Sequence, residues 1–339
     1  MSRPGGNAGL LTDRQVDLIA TRLAERVSGS PTTQPAARSA VAAPHRAPII
    51  GSTGAPREAL GDGVFATVDD AVDAAATAFH ELDGMSLEGR QKIIASIRES
   101  MFENAEELAR LAHTETGLGR VEDKIVKNRL VTRKTSGTEV LTPQAVTGDS
   151  GLTLTEYAPY GVIGAITPTT NPTSTIICNT IAMVSAGNSI VFNVHPNARE
   201  CSMANVRLLH NAITRAGGPA NLVTAVATPT IESAQELMSH KGVRLLAVTG
   251  GSGVVRQAMT SGKRAICAGP GNPPVVVDTT ADLELAGRCI VAGAGFDNNI
   301  VCTDEKEVIA VESVVDELLK QMKQPGKNCQ MHSRLLKRQ

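Results

Sequence analysis

The sequence predicts an α/β protein built on a doubly wound parallel sheet, and three observations carry that prediction. From Gly161 to Ser261, short aliphatic runs alternate with longer segments of helical periodicity. Repeated strand–helix units of this kind pair their strands in parallel, with helices on both faces. The helical segments also close on glycine, at Gly187 and at Gly217-Gly218, the residue that most readily takes left-handed backbone at a helix end. Finally, 42% of the 339 residues are hydrophobic but only 2% are aromatic, with no Trp. The chain can bury a large core, and that core must be aliphatic and alanine-rich.

In chain order, residues 11–27 come first. Val16, Ile19, Ala20, Leu23 and Val27 form one stripe of an amphipathic helix that Thr12 or Asp13 can cap. Such a helix either docks on its own domain or serves as an address for a partner's groove. Asp13, Asp17 and Glu25 make it too acidic for a mitochondrial transit peptide. Residues 28–62, rich in Pro, Ala, Ser and Gly, read as a flexible linker. Globular character begins near Phe65. Thr67, Asp69 and Asp70 start a helix that reaches about Leu82. Further helices are expected over 86–104, 104–116 and 120–135, the second capped by Asn104 and closed by Gly117. This helical front end shows no obvious chemistry. Residues 148–160 read as a hairpin that packs on a neighbour or a second subunit. Strands at 161–166, 189–192, 222–225 and 245–248 then alternate with helices at 173–186, 197–216, 231–239 and 252–261. Ligands of such sheets bind beyond the carboxyl ends of the strands, which singles out residues 167–171, 193–197, 227–230 and 249–253.

The formal net charge of -1 and the lack of a basic, aromatic-interleaved patch argue against a nucleic-acid surface. No secretory signal or membrane-spanning run is evident. Six cysteines, Cys178, Cys201, Cys267, Cys289, Cys302 and Cys329, lie without CxxC or metal-ligand spacing. Reduced thiols in a cytoplasmic protein, and no metal site, are expected.

Four features can carry chemistry. Pro172 at the first helical position leaves Asn171 near the N-cap, with its amide free to point into the cleft; it either caps the helix or supplies half of an oxyanion hole. His195, in Asn193-Val194-His195-Pro196-Asn197, is placed to touch a cofactor ribose or phosphate, or is a loop residue. Thr249-Gly250-Gly251-Ser252-Gly253 is not a GxGxxG, but its small residues let backbone N–H groups approach a pyrophosphate at a helix N-terminus. Cys302 follows a helical run (283–296) and the polar turn Asp297-Asn298-Asn299, and precedes a strand-like run (308–311). A lone cysteine is often a buried filler. On a positioned loop it can also be a thiolate nucleophile whose own N–H faces the reacting oxygen.

Five segments, in this order, resemble the aldehyde dehydrogenase superfamily, and more closely the CoA-acylating propionaldehyde and acetaldehyde dehydrogenases of bacterial microcompartments. They are Ile166-Thr167-Pro168-Thr169-Thr170-Asn171-Pro172, Val191-Phe192-Asn193-Val194-His195-Pro196, Val248-Thr249-Gly250-Gly251, Ala268-Gly269-Pro270-Gly271-Asn272-Pro273-Pro274, and Phe296-Asp297-Asn298-Asn299 with Cys302. The resemblance runs over about 63–323. It implies an NAD-binding domain over 63–266 and the start of an incomplete catalytic domain over 267–323. It also implies Cys302 as nucleophile, Asn171 as oxyanion donor, and an NAD cradle of Thr167, Pro168, Thr169, His195, Pro196, Thr249, Gly250, Gly251, Ser252 and Gly253. Hydrolytic members carry a glutamate where this chain reads Cys267-Ala268-Gly269-Pro270-Gly271-Asn272, without a carboxylate. A thioester on Cys302 is then released to a thiol rather than to water. The reaction implied joins a short-chain aldehyde, NAD⁺ and CoA to give acyl-CoA and NADH.

The same resemblance makes residues 11–27 an address for microcompartment shell or cargo proteins, places the chain in the microcompartment lumen, and implies that full-length relatives oligomerise. Family members are longer, and residues 324–339 turn basic and lose the α/β pattern. The expectation is a truncation or frame shift near Lys323, or else a natural short tail. An alternative of another class is an inactive, cofactor-binding or shell-associated cargo protein. Acetaldehyde, propionaldehyde and lactaldehyde fit equally, as do NAD and NADP.

Overall fold

A six-stranded parallel sheet carries the loops after the strands Val162–Ile166, Ser189–Asn193 and Leu245–Thr249 in the computed structural model, which describes residues 61–324, while Cys302 lies in the two-stranded unit that follows the sheet. In chain order, β1 (Val64–Phe65) leads into α1 (Val68–Asp83), α2 (Leu87–Glu103), α3 (Ala105–Thr116) and α4 (Val121–Lys134). A hairpin of β2 (Gln144–Gly148) and β3 (Gly151–Thr155) follows. Then come β4 (Val162–Ile166), α5 (Pro172–Ser185), β5 (Ser189–Asn193), α6 (Arg199–Arg215), β6 (Val223–Val226), α7 (Ile231–Ser239), β7 (Leu245–Thr249), α8 (Ser252–Met259) and β8 (Ala265–Ala268). The last described elements are β9 (Pro274–Val277), α9 (Leu283–Ala294), β10 (Glu307–Ala310) and α10 (Val315–Lys323).

The sheet order is β1-β6-β5-β4-β7-β8, and every pairing is parallel. The chain winds from β4 through β5 to β6, then crosses to the other side of β4 for β7 and β8. The winding direction therefore switches between β4 and β7, and a crevice opens there beyond the strand ends. Strands covered on both faces read as continuous apolar runs, and all of β4 and β5 is buried. Alternate residues feed opposite cores. Ile190 and Phe192 pack with residues of α2, α5 and α6, whereas Val191 packs with residues of α1, α7 and α8.

Local signals set most boundaries. Thr67 caps α1 by accepting from Asp70 N–H at 3.1 Å, and Thr230 and Ser233 form a reciprocal capping box on α7. Gly187 and Gly217 take φ of 84° and 78°, as their closing positions require. Asn104 departs from expectation. It occupies the start of α3, but its side chain makes no cap and donates back to Ser100 O at 2.8 Å.

Three strands were not foreseen: β1, β8 and β9. β1 is only two residues long, and β8 carries the sheet to Ala268, past the boundary expected at 266. The hairpin lies at 144–155 rather than 148–160, and all of its strand residues are exposed. After β8, the parallel pair β9–β10 is bridged by α9, and Val277, Ile290, Val291, Val314, Leu318 and Met322 form a separate small core. The amphipathic helix expected at 11–27, the linker up to residue 60 and the tail from residue 325 lie outside the described residues. No described helix is long and apolar enough to cross a membrane.

Candidate active site

At the carboxyl ends of the strands lies a cleft of about 620 Å³. Its walls include Thr167, Pro168, Thr169 and Asn171 after β4, His195 and Pro196 after β5, Thr249 at the end of β7 with Gly250 and Gly251 beyond it, and Cys302. Ser252 and Gly253 are not brought in. They sit exposed in the first turn of α8, which shows the cleft its Gly251 and Val254 side, an i, i+3 face. Thr230, from the singled-out segment 227–230, also lines it, and the structure adds Ile231 and Ala234 of α7, Gly269 to Gly271 after β8, and Ile300 and Lys306 from the stretch around Cys302. Among the described residues, no Asp or Glu lines this cleft.

His195 is held by its own loop. Its Nδ1 lies 3.1 Å from the Asn197 N–H and accepts from it, which assigns the proton to Nε2 and makes that nitrogen a donor. Burial pushes its pKa down, keeping the ring neutral.

Asn171 precedes Pro172 and makes no cap bond, so its amide is spared from the helix as expected. It is not free, however. Oδ1 accepts from Lys127 Nζ at 2.6 Å, and Nδ2 donates to Thr170 Oγ1 at 3.0 Å, leaving one amide hydrogen. Lys127 belongs to α4, in the front end where the sequence shows no obvious chemistry, yet its side chain reaches the cleft residue Asn171. Lys124 and Lys127 are both buried and both donate to Asp297 Oδ2, at 3.2 and 2.5 Å. Asp297 Oδ1 accepts the Arg120 N–H at 2.8 Å. Burial by itself raises the Asp297 carboxyl, but the hydrogen bonds from Lys127 and Arg120 hold it below the usual carboxylate range. Burial pushes Lys127 down, and the neighbouring Lys124 adds to this against the pull of Asp297.

The turn expected ahead of Cys302 is present and sharply bent. Asp297, Asn298 and Asn299 have φ of 45°, 56° and 60° in succession. Asp and Asn are the side chains that tolerate this left-handed region best. Asn299 Nδ2 closes the loop on Ala294 O and Glu305 O, at 2.8 and 3.0 Å. Lys306 Nζ gathers Asn299 O, Asn299 Oδ1 and Val301 O, at 3.1, 2.8 and 3.0 Å. On the opposite side Gly271 touches the same loop, and a methyl group there would overlap the Cys302 carbonyl oxygen. Cys302 itself is half-buried and unpaired. Cys201, by contrast, is buried, and burial together with Glu115 drives its thiol pKa up, so it is inert. Among the described residues, no group of side chains has metal-ligand clustering.

The cleft fits a dinucleotide. Thr167 Oγ1 is buried in its wall without a hydrogen-bond partner among the described residues. The N-terminus of α8 has no side-chain cap, so its first N–H groups are available to an anion.

A parallel sheet with a switch-point cleft of this kind has the architecture of dinucleotide-binding α/β proteins. The chain belongs to the aldehyde dehydrogenase family, which it matches over residues 52–338. It is 53% identical over 265 residues to an acetaldehyde dehydrogenase (acetylating) of Bilophila wadsworthia, covering 78% of this chain and 54% of that protein. A propionaldehyde dehydrogenase from the fucose utilisation bacterial microcompartment of Clostridium phytofermentans superposes with a TM-score of 0.75 at 50% identity, over 78% of this chain and 61% of that one. A propionaldehyde dehydrogenase of Rhodopseudomonas palustris, solved with bound CoA and an acylated cysteine, also gives a TM-score of 0.75, at 49% identity over 78% of this chain and 60% of that one. The chain thus spans little more than half the length of the curated relatives it matches.

Proposed function

We propose that this chain acts as a CoA-acylating aldehyde dehydrogenase, with Cys302 as the acyl-carrying nucleophile. The observation that carries the reading is a loop-held thiol in a cleft whose described walls contain no carboxylate. The Cys302 thiolate adds to the aldehyde carbon, and the oxygen that becomes negative is met by the remaining Asn171 Nδ2 hydrogen and the Cys302 N–H. Thr167, the uncapped α8 terminus and the His195 Nε2–H would hold a nicotinamide dinucleotide, with Pro168, Thr169, Pro196, Thr249, Gly250 and Gly251 shaping the wall, and that group would supply the hydride acceptor for the oxidation.

The resulting thioester then meets water without a base to activate it. His195 is the one imidazole in the described wall, and its acceptor nitrogen is already occupied by the Asn197 N–H. A thiol ionises to its nucleophilic thiolate far more readily than water gives hydroxide, so it needs no protein base to take the acyl group, which favours CoA as the acceptor. The test is the absorbance of reduced nicotinamide when the protein is given acetaldehyde or propionaldehyde with NAD⁺. A sustained rise that requires CoA supports the reading, and turnover that is indifferent to CoA sinks it. Cofactor binding without turnover supports the other class, a cofactor-binding cargo protein.

The microcompartment context of one structural relative supports a second part of the proposal, that residues 11–27 dock to shell or cargo proteins and direct the chain to a microcompartment lumen. A reporter fused to residues 1–30 should concentrate in shells when both are co-expressed. Diffuse fluorescence would refute the address.

A further inference from the structure

Two buried ammonium groups converge on one carboxylate beneath the cleft. Lys124 and Lys127 are only 2% and 7% exposed, and both reach Asp297 Oδ2. One lysine is enough to neutralise one carboxylate. A second buried cation adds desolvation and repulsion from the first, so its presence needs another reason. Lys127 has a bond that Lys124 lacks. Its Nζ donates to the side-chain oxygen of Asn171 at 2.6 Å, in the wall of the cleft. Lys124 reaches only the Thr170 backbone carbonyl, at 3.5 Å.

That bond decides which way the Asn171 amide faces. The two ends of an amide are alike in shape, and only the hydrogen-bond network distinguishes them. An ammonium has donors and no acceptor, so it can hold the oxygen end alone. The NH₂ end is then turned to Thr170 Oγ1, with one hydrogen left over. A cation on the amide oxygen also polarises the group and makes that hydrogen a stronger donor. The same Nζ holds Asp297, which opens the turn leading to Cys302. One ammonium therefore joins the loop bearing the amide to the loop bearing the thiol.

We propose that Lys127 is a positioning residue for acyl transfer, fixing the Asn171 amide with its N–H toward the reacting oxygen and tying it through Asp297 to the Cys302 loop. The proposal rests on Cys302 and Asn171 having the roles assigned above. It is tested on a half-reaction that needs no oxidant. The Cys302 thiolate attacks the carbonyl of acetyl-CoA, a carbon–sulfur bond forms to the protein, the carbon–sulfur bond to CoA breaks, and CoA leaves as its thiolate.

Acetylation of Cys302 by acetyl-CoA is followed by mass spectrometry in the wild type, Lys127→Met, Asn171→Ala and the double variant. Lys127→Met leaves one lysine facing one carboxylate, so the buried charge stays balanced. It should slow acetylation by about 10- to 100-fold, less than or comparable to the roughly 10²–10³-fold that loss of an oxyanion donor costs. In the Asn171→Ala background the same substitution should add almost nothing, since there is no amide left to orient. Lys127→Gln, which keeps a neutral donor for Oδ1, should recover part of the rate. Full-speed acetylation of Lys127→Met overturns the proposal, as does a slowing that is undiminished in the Asn171→Ala background. A melting curve that shows Lys127→Gln folded while its rate is no better than that of Lys127→Met also overturns it. If the wild type takes up no acetyl group at Cys302, the underlying reading of the site falls instead.

Discussion

Cys302→Ser is expected to lower acyl transfer from acetyl-CoA to the protein by about 10³-fold or more, as removal of a catalytic nucleophile generally does. A hydroxyl at the same place is far less ionised than a thiol and a much poorer nucleophile without a partner base, and no carboxylate stands in the described cleft wall to act as one. Cys289 provides the internal control, because it is exposed. If adventitious reactivity governed labelling, Cys289 would acetylate at least as fast as Cys302. Positioning predicts the reverse, with the label on the peptide that contains Cys302. Gly271→Ala, read in the same spectra, should slow that labelling as well, since its methyl displaces the Cys302 carbonyl and small displacements of reacting groups cost about 10²-fold. Label spread evenly over the exposed thiols would remove the nucleophile assignment.

The sheet and the cleft were legible because their signals are local. The strands at 162–166, 189–193, 223–226 and 245–249 are aliphatic runs between helices, and their loops fall at the carboxyl ends by topology alone. Pro172 marks the start of α5, and the Asn171 amide makes no cap bond there, engaging Lys127 and Thr170 instead. The helix expected at 120–135 is present as α4, and what escaped was which of its faces is buried. Hydrophobic periodicity reads a helix by turning its apolar residues inward, yet α4 buries Lys124, Lys127, Asn128 and Thr132 while leaving Val126 and Leu130 more than half exposed. Its buried face is polar because it meets polar partners. Asn128 Oδ1 accepts from Thr173 Oγ1 at 3.0 Å, its Nδ2 donates to Ala105 O at 3.2 Å, and the two lysines meet Asp297. Those partners lie tens to more than a hundred residues away in sequence, so nothing local marks the helix as inverted. Lys306 escaped for a related reason. In sequence it is one charge in Asp304-Glu305-Lys306-Glu307 and reads as solvated surface, whereas its three hydrogen bonds make it the inner brace of the thiol loop. The short strand β8 was missed because an alternating Ala265-Ile266-Cys267-Ala268 at a sheet edge lacks the apolar continuity of the central strands.

Asp297→Asn is expected to destabilise the fold by about 3–5 kcal/mol, the range for breaking a buried ion pair by removing one partner, and to lower the melting temperature on the order of 10 °C. The substitution keeps the shape but leaves two buried ammonium groups facing a neutral amide, one of them the group that holds Asn171. The sign of the pH dependence follows from the two directions of shift. Asp297 sits below the unfolded carboxylate value in the folded protein, so its stabilising effect is complete above about pH 4 and is lost as pH falls through the folded value. Lys127 is also depressed in the folded protein. The unfolded chain therefore holds more protons on this lysine at mildly alkaline pH, and stability contributed at this site rises toward the unfolded lysine value near about 10.4. Without the carboxylate that depression deepens, and the variant gains more than the wild type on going alkaline. Melting temperatures of the two proteins should therefore be furthest apart between about pH 5 and 8 and converge on both sides. A gap that stays constant from acid to alkali would show that the lost stability came from packing around residue 297 and not from the charge that Lys124 and Lys127 share.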